Sequence, residues 1–422
     1  MKRQIELSND EQKRSEAFDS RMRLGTARTT TRTFGLWACS WVVLLLLGSA
    51  AHAQTAENLD RARRMHDRLA GVPPDDTTLT DMALLIEADD AGAAATLAMT
   101  NPNFYNVVLK NWITPWTNEA QTVFAPLNDY TATVIGMIRD DLPFNTVLTD
   151  DILYHAEGAV PSDYSQTDND HYIELEEQGI NLGIGGPLIR DFQSQMDGNQ
   201  LDESEAAGVT TTRAAGEAFF SAGTNRAMFR FTSINYLCRD LEQLHDVTRA
   251  ADRIRQDVTR SPGGDSEIFL NTCYGCHAGM DALAGAYAFF EWDADAERVI
   301  HTRGVVQPKH LINGNVFPFG FVTTDNGWIN YWREGPNATM GWRGASDRGF
   351  GAKSLGAELA GSDAFSTCQV EKVFELVCFR PVGSEEDRTA VDNATTAFEE
   401  SNYSMKGVFA DVAEYCMDDP TP

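Results

Sequence analysis

The sequence predicts a mainly α protein with little β structure: helical segments packed on a central helical turn that carries two cysteines and a histidine. Three observations predict it. Apolar residues recur at i, i+3, i+4 and i+7 in most segments between breakers, which is the spacing of one helix face. Strict apolar/polar alternation, the mark of a half-buried strand, is rare. The run Cys273-Tyr274-Gly275-Cys276-His277 needs a helical turn to bring its two thiols to one edge.

The 422 residues carry 34 Lys and Arg against 62 Asp and Glu. Phe34 to Ala50 is mostly apolar, with Leu44 to Leu47 consecutive, and Arg28 and Arg32 precede it. Ala51-His52-Ala53 follows. This is the order of a secretory signal, so residues 1–53 are expected to be removed and the mature chain to start near Gln54. The charged stretch before the apolar run is long, and a start at Met22 gives a signal of ordinary length. The run is shorter than the ~20 residues a spanning helix needs, which favours cleavage over an uncleaved membrane anchor. Removal leaves 26 basic and 57 acidic residues, a net charge near −31. Nucleic acid and anionic membranes are poor partners for such a surface. A basic redox protein fits it, and so does plain solubility.

The expected organisation is an N-terminal helical domain over 54–156, an acidic and Gly-rich loop region over 157–212, a central domain over 213–345 and a C-terminal helical domain over 346–422. In the first, 60–70 and 80–99 read as helices, the second with Met82, Leu85 and Ile86 on one face. Asn101-Pro102 breaks the pattern. Phe104 to Trp112 resumes it until Pro115, and Thr122 to Arg139 reads as a further helix with Val134, Met137 and Ile138 together. From Glu157 to Asp202 the chain reads as loops. Its carboxylates fit no calcium-loop spacing, so a solvated face is favoured.

Phe231 to Ile254 reads as the longest helix, with Ile234, Leu237, Cys238, Leu241 and His245 on one stripe. Ser261-Pro262-Gly263-Gly264 stops it. Ala282 to Phe290 reads as a short helix after the cysteine motif. Its Tyr287, Phe289 and Phe290, with Trp292 beyond, are expected near that motif. Asn313-Gly314 between apolar residues predicts a small hairpin in 305–321. Asn326 to Trp332 reads as a short helix or turn. The last third is helical, with faces Val370, Val373, Phe374, Val377 and Met405, Val408, Phe409, Val412. Ser384 with Asp387 is close to a capping box between them.

Cys-x-x-Cys-His is the attachment signature of a c-type haem: the thiols add across the vinyl groups, and the histidine reaches the iron. One such motif predicts one covalent haem per chain, held by Cys273 and Cys276 with His277 as proximal ligand. Cys-x-x-Cys also occurs in zinc and thiol-redox sites, but no second pair accompanies it here. Haem attachment follows export in bacteria, so the motif and the N-terminal signal agree. Of the remaining cysteines, Cys39 lies in the signal segment. Cys238, Cys368, Cys378 and Cys416 are an even set in an exported chain, which points to two disulfides. Three pairings are open.

The sixth iron ligand decides the chemistry, because two protein ligands make an electron carrier whereas an open position binds or activates small molecules. Met280, three residues after His277, belongs to the proximal side. Met340 is the leading distal candidate: it lies 63 residues after His277 in Gly335-Pro336-Asn337-Ala338-Thr339-Met340, similar to the Pro-x-x-x-Met loop of small class I cytochromes c. His245, His301, His310 and Met405 are lesser candidates.

Three stretches together resemble the planctomycete-type cytochrome c modules, exported proteins built of domains of unknown function. They are Ser221-Ala222-Gly223-Thr224-Asn225-Arg226, Cys273 to Asp281 (C-Y-G-C-H-A-G-M-D), and Leu359 to Cys368 (L-A-G-S-D-A-F-S-T-C). Asn101-Pro102-Asn103-Phe104 and Asp140 to Phe144 resemble the earlier helical domain of such proteins more faintly. This chain lacks the usual Arg before Met280 and the Pro after Asp281. The resemblance implies haem binding and export, and says little about reaction. The expected function is a periplasmic mono-haem electron carrier. The alternatives are a haem enzyme with an open iron site, of peroxidase type, and a haem-containing structural or binding subunit of an envelope complex.

Overall fold

Side-chain caps set helix boundaries that periodicity left open. In the computed structural model of the protein, which describes residues 56–196 and 201–419, Asp75 accepts hydrogen bonds from the backbone N–H groups of Thr77 and Thr78 and opens the helix Asp76–Glu87. Asp90 does the same for Ala91–Ala98 through Ala93. Ser362, Ser384 and Ser404 cap the three C-terminal helices, Asp363–Cys378, Glu385–Glu400 and Met405–Cys416. At Ser384 the expected capping box is complete: Asp387 answers the serine by accepting from its backbone N–H. Such caps satisfy N–H groups that the helix itself leaves unpaired. The signal segment expected over 1–53 and the cleavage point near Gln54 lie outside the described residues.

The protein is mainly helical, 52 % helix and 7 % strand, so its core is made by helix packing with short hairpins at the rim. The expected faces are buried. Val370, Val373, Phe374 and Val377 are inaccessible or nearly so, as are Met405, Val408, Phe409 and Val412. The helix Ala91–Ala98 lies against Met405–Cys416, so the N-terminal and C-terminal segments share one apolar core that runs from Ala62 to Cys416. The alanine-rich face of Ala91–Ala98 permits that close approach. The helix Arg226–Leu237 sits between Asp363–Cys378 and the motif helix Tyr274–Ala284, and packs on both. Among the described residues no helix is long and apolar enough to cross a membrane.

Several elements differ from the sequence reading. The helix expected over 231–254 ends at Leu237. Cys238 adopts a left-handed backbone, φ 53°, and is disulfide-bonded to Cys368. The apolar stripe therefore spans a break, and residues 239–253 fold as turns. The helix expected from Thr122 starts at Asp129 instead, after Pro126, where Asn128 accepts from Thr131 N–H. The loop region 157–202 contains the helix Asp170–Glu177, which buries His171, Tyr172 and Leu175. The strand Ile189–Asp191 in that region pairs with Leu153–His155. The hairpin expected at Asn313-Gly314 is a turn without strands; Asn313 is left-handed, φ 59°, and its carbonyl accepts from Val316. The hairpin forms one element earlier, where Phe290–Asp293 pairs antiparallel with Arg298–His301. The segment expected to be a helix over 282–290 is the end of Tyr274–Ala284, a tight turn and the first strand of that hairpin. In 326–332 the strand Gly327–Ile329, paired with Arg348–Phe350, precedes the short turn Tyr331–Arg333.

Candidate haem attachment site

Cys273, Cys276 and His277 lie where a distorted turn, Phe269–Cys273, tightens into the regular helix Tyr274–Ala284. Small residues hold that helix close to its neighbours. A Cβ on Gly279 would fall 2.2 Å from the buried Trp332 ring, so glycine is required for the contact. On Gly275 a Cβ would meet the ring of His245, an exposed side chain. The backbone carbonyl of Gly275 also accepts from Asp246 N–H, which ties the motif to the turns after Cys238.

Both motif cysteines are free thiols and partly accessible, whereas the other four described cysteines are paired. Cys276 Sγ donates to the Leu241 carbonyl at 3.3 Å. Burial, with Glu242 adding to it, pushes the Cys276 thiol up. Among the described residues no three His, Cys, Asp or Glu side chains come together as a metal cage, so the zinc alternative gains no further ligands.

His277 is partly accessible, and its Nδ1 lies 3.1 Å from Asp281 Oδ1 one turn later. Asp281 has no accessible side-chain surface. Arg226 donates to both of its oxygens, from Nε at 2.6 Å and Nη2 at 3.0 Å, and Arg255 N–H donates at 3.1 Å. Asp257 in turn accepts two N–H bonds from Arg226, at 2.8 and 2.9 Å. Burial alone would raise the Asp281 carboxyl, but Arg226, the His277 contact and Arg255 hold it well below the usual carboxylate range. Planar guanidinium pairing of this kind offsets the cost of burying charge.

Beside His277 opens a cavity of about 380 Å³, with Met280, Leu241, Phe231, Arg226, Arg230 and Glu119 on its walls. The donor set fits a c-type haem: two unpaired thiols, of which Cys276 touches the wall residue Leu241, and an imidazole on the cavity whose Nδ1 is already engaged so that Nε2 is left for the iron.

Of the other candidates, His245 packs on Gly275 within the motif and the rest fall elsewhere. Met340 closes the turn Pro336–Met340, is 6 % exposed in the main core, and is not on the cavity wall; Met280 is. Phe290 stacks on Phe220, Tyr287 tilts against it, and Phe289 and Phe290 lie against His301, so this aromatic cluster is core and does not wall the cavity. His310 is buried with its Nδ1 accepting from Arg255 at 3.1 Å, and His301 is buried beside Glu205. Burial and Arg255 push His310 down to about 3, and burial and Arg303 push His301 down to about 4. Met405 belongs to the C-terminal core.

Sequence reasoning missed the roles of Arg226, Asp257 and Asp281. The His277-x-x-x-Asp281 spacing was a usable signal, since i and i+4 share a helix face; the Arg226 contact was not visible in it. The three stretches that carry the resemblance come together here: Arg226 grips Asp281, and Cys368 closes a disulfide on Cys238 at the end of the helix that Arg226 begins. No family model, curated protein or solved structure matches the chain.

Proposed function

We propose that the chain is an exported mono-haem c-type cytochrome, of the planctomycete module type, that carries electrons in the bacterial envelope. One observation supports it most: Cys273 and Cys276 are free, partly accessible thiols in the same helical turn as His277, whose Nδ1 is held by Asp281 and which lines a cavity. When bound, the haem supplies one-electron iron chemistry. The chain's own residues do the rest. Cys273 and Cys276 anchor the macrocycle, Asp281 orients His277, and Leu241, Phe231 and Met280 exclude water from one side. Met340 remains the proposed sixth ligand on its Pro-x-x-x-Met spacing, although it lies in the core off the cavity wall. The acidic surface suits a basic redox partner.

A second reading, an open iron site that binds or reduces a small oxidant, is favoured by the burial of Met340 in the core away from that wall. The purified oxidised protein separates the two. A low-spin spectrum with a methionine–iron charge-transfer band supports the carrier, and high-spin iron supports the open site. Absence of haem from the denatured chain overturns both.

A further inference from the structure

We infer that Asp281 is the positioning residue for His277: it fixes the proton on Nδ1, presents the Nε2 lone pair to the iron, and lends the imidazole anionic character that lowers the reduction potential. The inference rests on the haem-attachment reading and adds how this chain tunes it.

The geometry leaves little freedom. Asp281 Oδ1 accepts from Arg226 Nε at 2.6 Å and faces His277 Nδ1 at 3.1 Å, while Oδ2 accepts from Arg226 Nη2 and Arg255 N–H. A carboxylate so paired is ionised and can only accept. His277 Nδ1 must therefore be the donor, and the neutral ring keeps its lone pair on Nε2. Asp257 braces Arg226 from the other side, and the Asp281 carboxylate cannot turn away without breaking its two bonds from Arg226 and one from Arg255 N–H. Outer partners of this kind set ligand orientation and basicity. Trp332 against Gly279 holds the helix that carries both residues, which keeps the i, i+4 contact in register.

The test uses the full chain with ¹⁵N-labelled histidine, prepared without haem at pH 8, with the His277 signal identified by its loss in His277→Gln. Long-range ¹⁵N–¹H correlations are expected to show His277 protonated at Nδ1. A wild-type His277 protonated at Nε2 overturns the proposal, and this measurement stands even if Asp281 variants fail to fold. In Asp281→Asn, Arg226 and Arg255 claim the single amide oxygen and the NH₂ group faces Nδ1. The tautomer is expected to flip, and the haem-loaded variant is expected to show a higher reduction potential while its haem stain persists. An Asp281→Asn protein with unchanged tautomer and potential overturns the proposal. Failure of the haem reading shows separately, as a wild-type chain with no covalent haem on a denaturing gel.

Discussion

Cys238 and Cys368 are bonded to each other across 130 residues, with their Cα atoms 5.3 Å apart. The bond ties the end of the helix Arg226–Leu237 to the first C-terminal helix, and so links the motif's neighbour to the rest of the core. Cys378 and Cys416 make the second bond, across 38 residues. Of the three pairings open to the sequence, the fold selects this one. Peptide mapping of unreduced protein should recover Cys238–Cys368 and Cys378–Cys416 and no other pair. Replacing Cys238 and Cys368 by Ser should lower unfolding free energy by about 2–5 kcal/mol, because a long loop is then released in the unfolded chain. Four alkylated thiols outside the motif would contradict the assignment.

Covalent haem should survive denaturation. The wild-type band should stain for haem peroxidase activity on a denaturing gel, and Cys273→Ala and Cys276→Ala should each weaken it. His277→Gln should leave a core that folds but a changed or missing iron spectrum, because the ring is on the cavity side and not in the core.

Met340 can be separated from its packing role. Met340→Leu keeps volume, at a cost expected below about 1.5 kcal/mol, while it removes the thioether. If Met340 ligates, the methionine–iron band disappears and the potential falls, since thioether ligation raises it. An unchanged spectrum assigns Met340 to the core alone.

Glycines in the motif helix should differ sharply. Gly279→Ala drives a methyl into the buried Trp332 and should cost about 1–3 kcal/mol. Gly275→Ala meets only the exposed His245 ring, which can swing away, so its effect should stay within about 0.5 kcal/mol. Urea unfolding of both variants measures the contrast, and equal losses would show that the Trp332 contact yields easily.

Stability should fall as pH drops below about 6.5. The unfolded chain protonates its histidines near their ordinary value, whereas folded His301 and His310 resist protonation until about 4 and about 3. The unfolded state thus binds more protons across that interval, and acid favours it. Each histidine should cost roughly 1–2 kcal/mol between pH 6.5 and 5. Asp281, held low in the fold, adds a loss of the same sign as pH falls through the carboxylate range. Urea midpoints at pH 7, 6 and 5 test this, and His310→Gln should flatten the slope.

Much of the chain was legible because helix faces and cap chemistry are local. The stripes at 370–377 and 405–412 and the Ser384–Asp387 box depend on residues within a few turns of each other, so periodicity and capping rules reach them. Cys273, Cys276 and His277 are likewise brought into one helical turn by local spacing alone. Where the reading failed, a local pattern hid a long-range constraint. The stripe from Ile234 to His245 looks continuous, yet the Cys368 bond holds Cys238 in a left-handed turn and ends the helix there. Asn313-Gly314 makes its turn, but the strands form at Phe290 and Arg298, where pairing with the core is available. The sequence by itself determined a mainly helical chain, one Cys-x-x-Cys-His run and an even set of four further cysteines. Only the tertiary structure decided which cysteines pair, that Met280 and not Met340 faces His277's cavity, and that Arg226 and Asp257 fix Asp281 beside His277. The disulfides and the Arg226 contacts join residues tens of positions apart, and their energy depends on burial and geometry that no local spacing encodes.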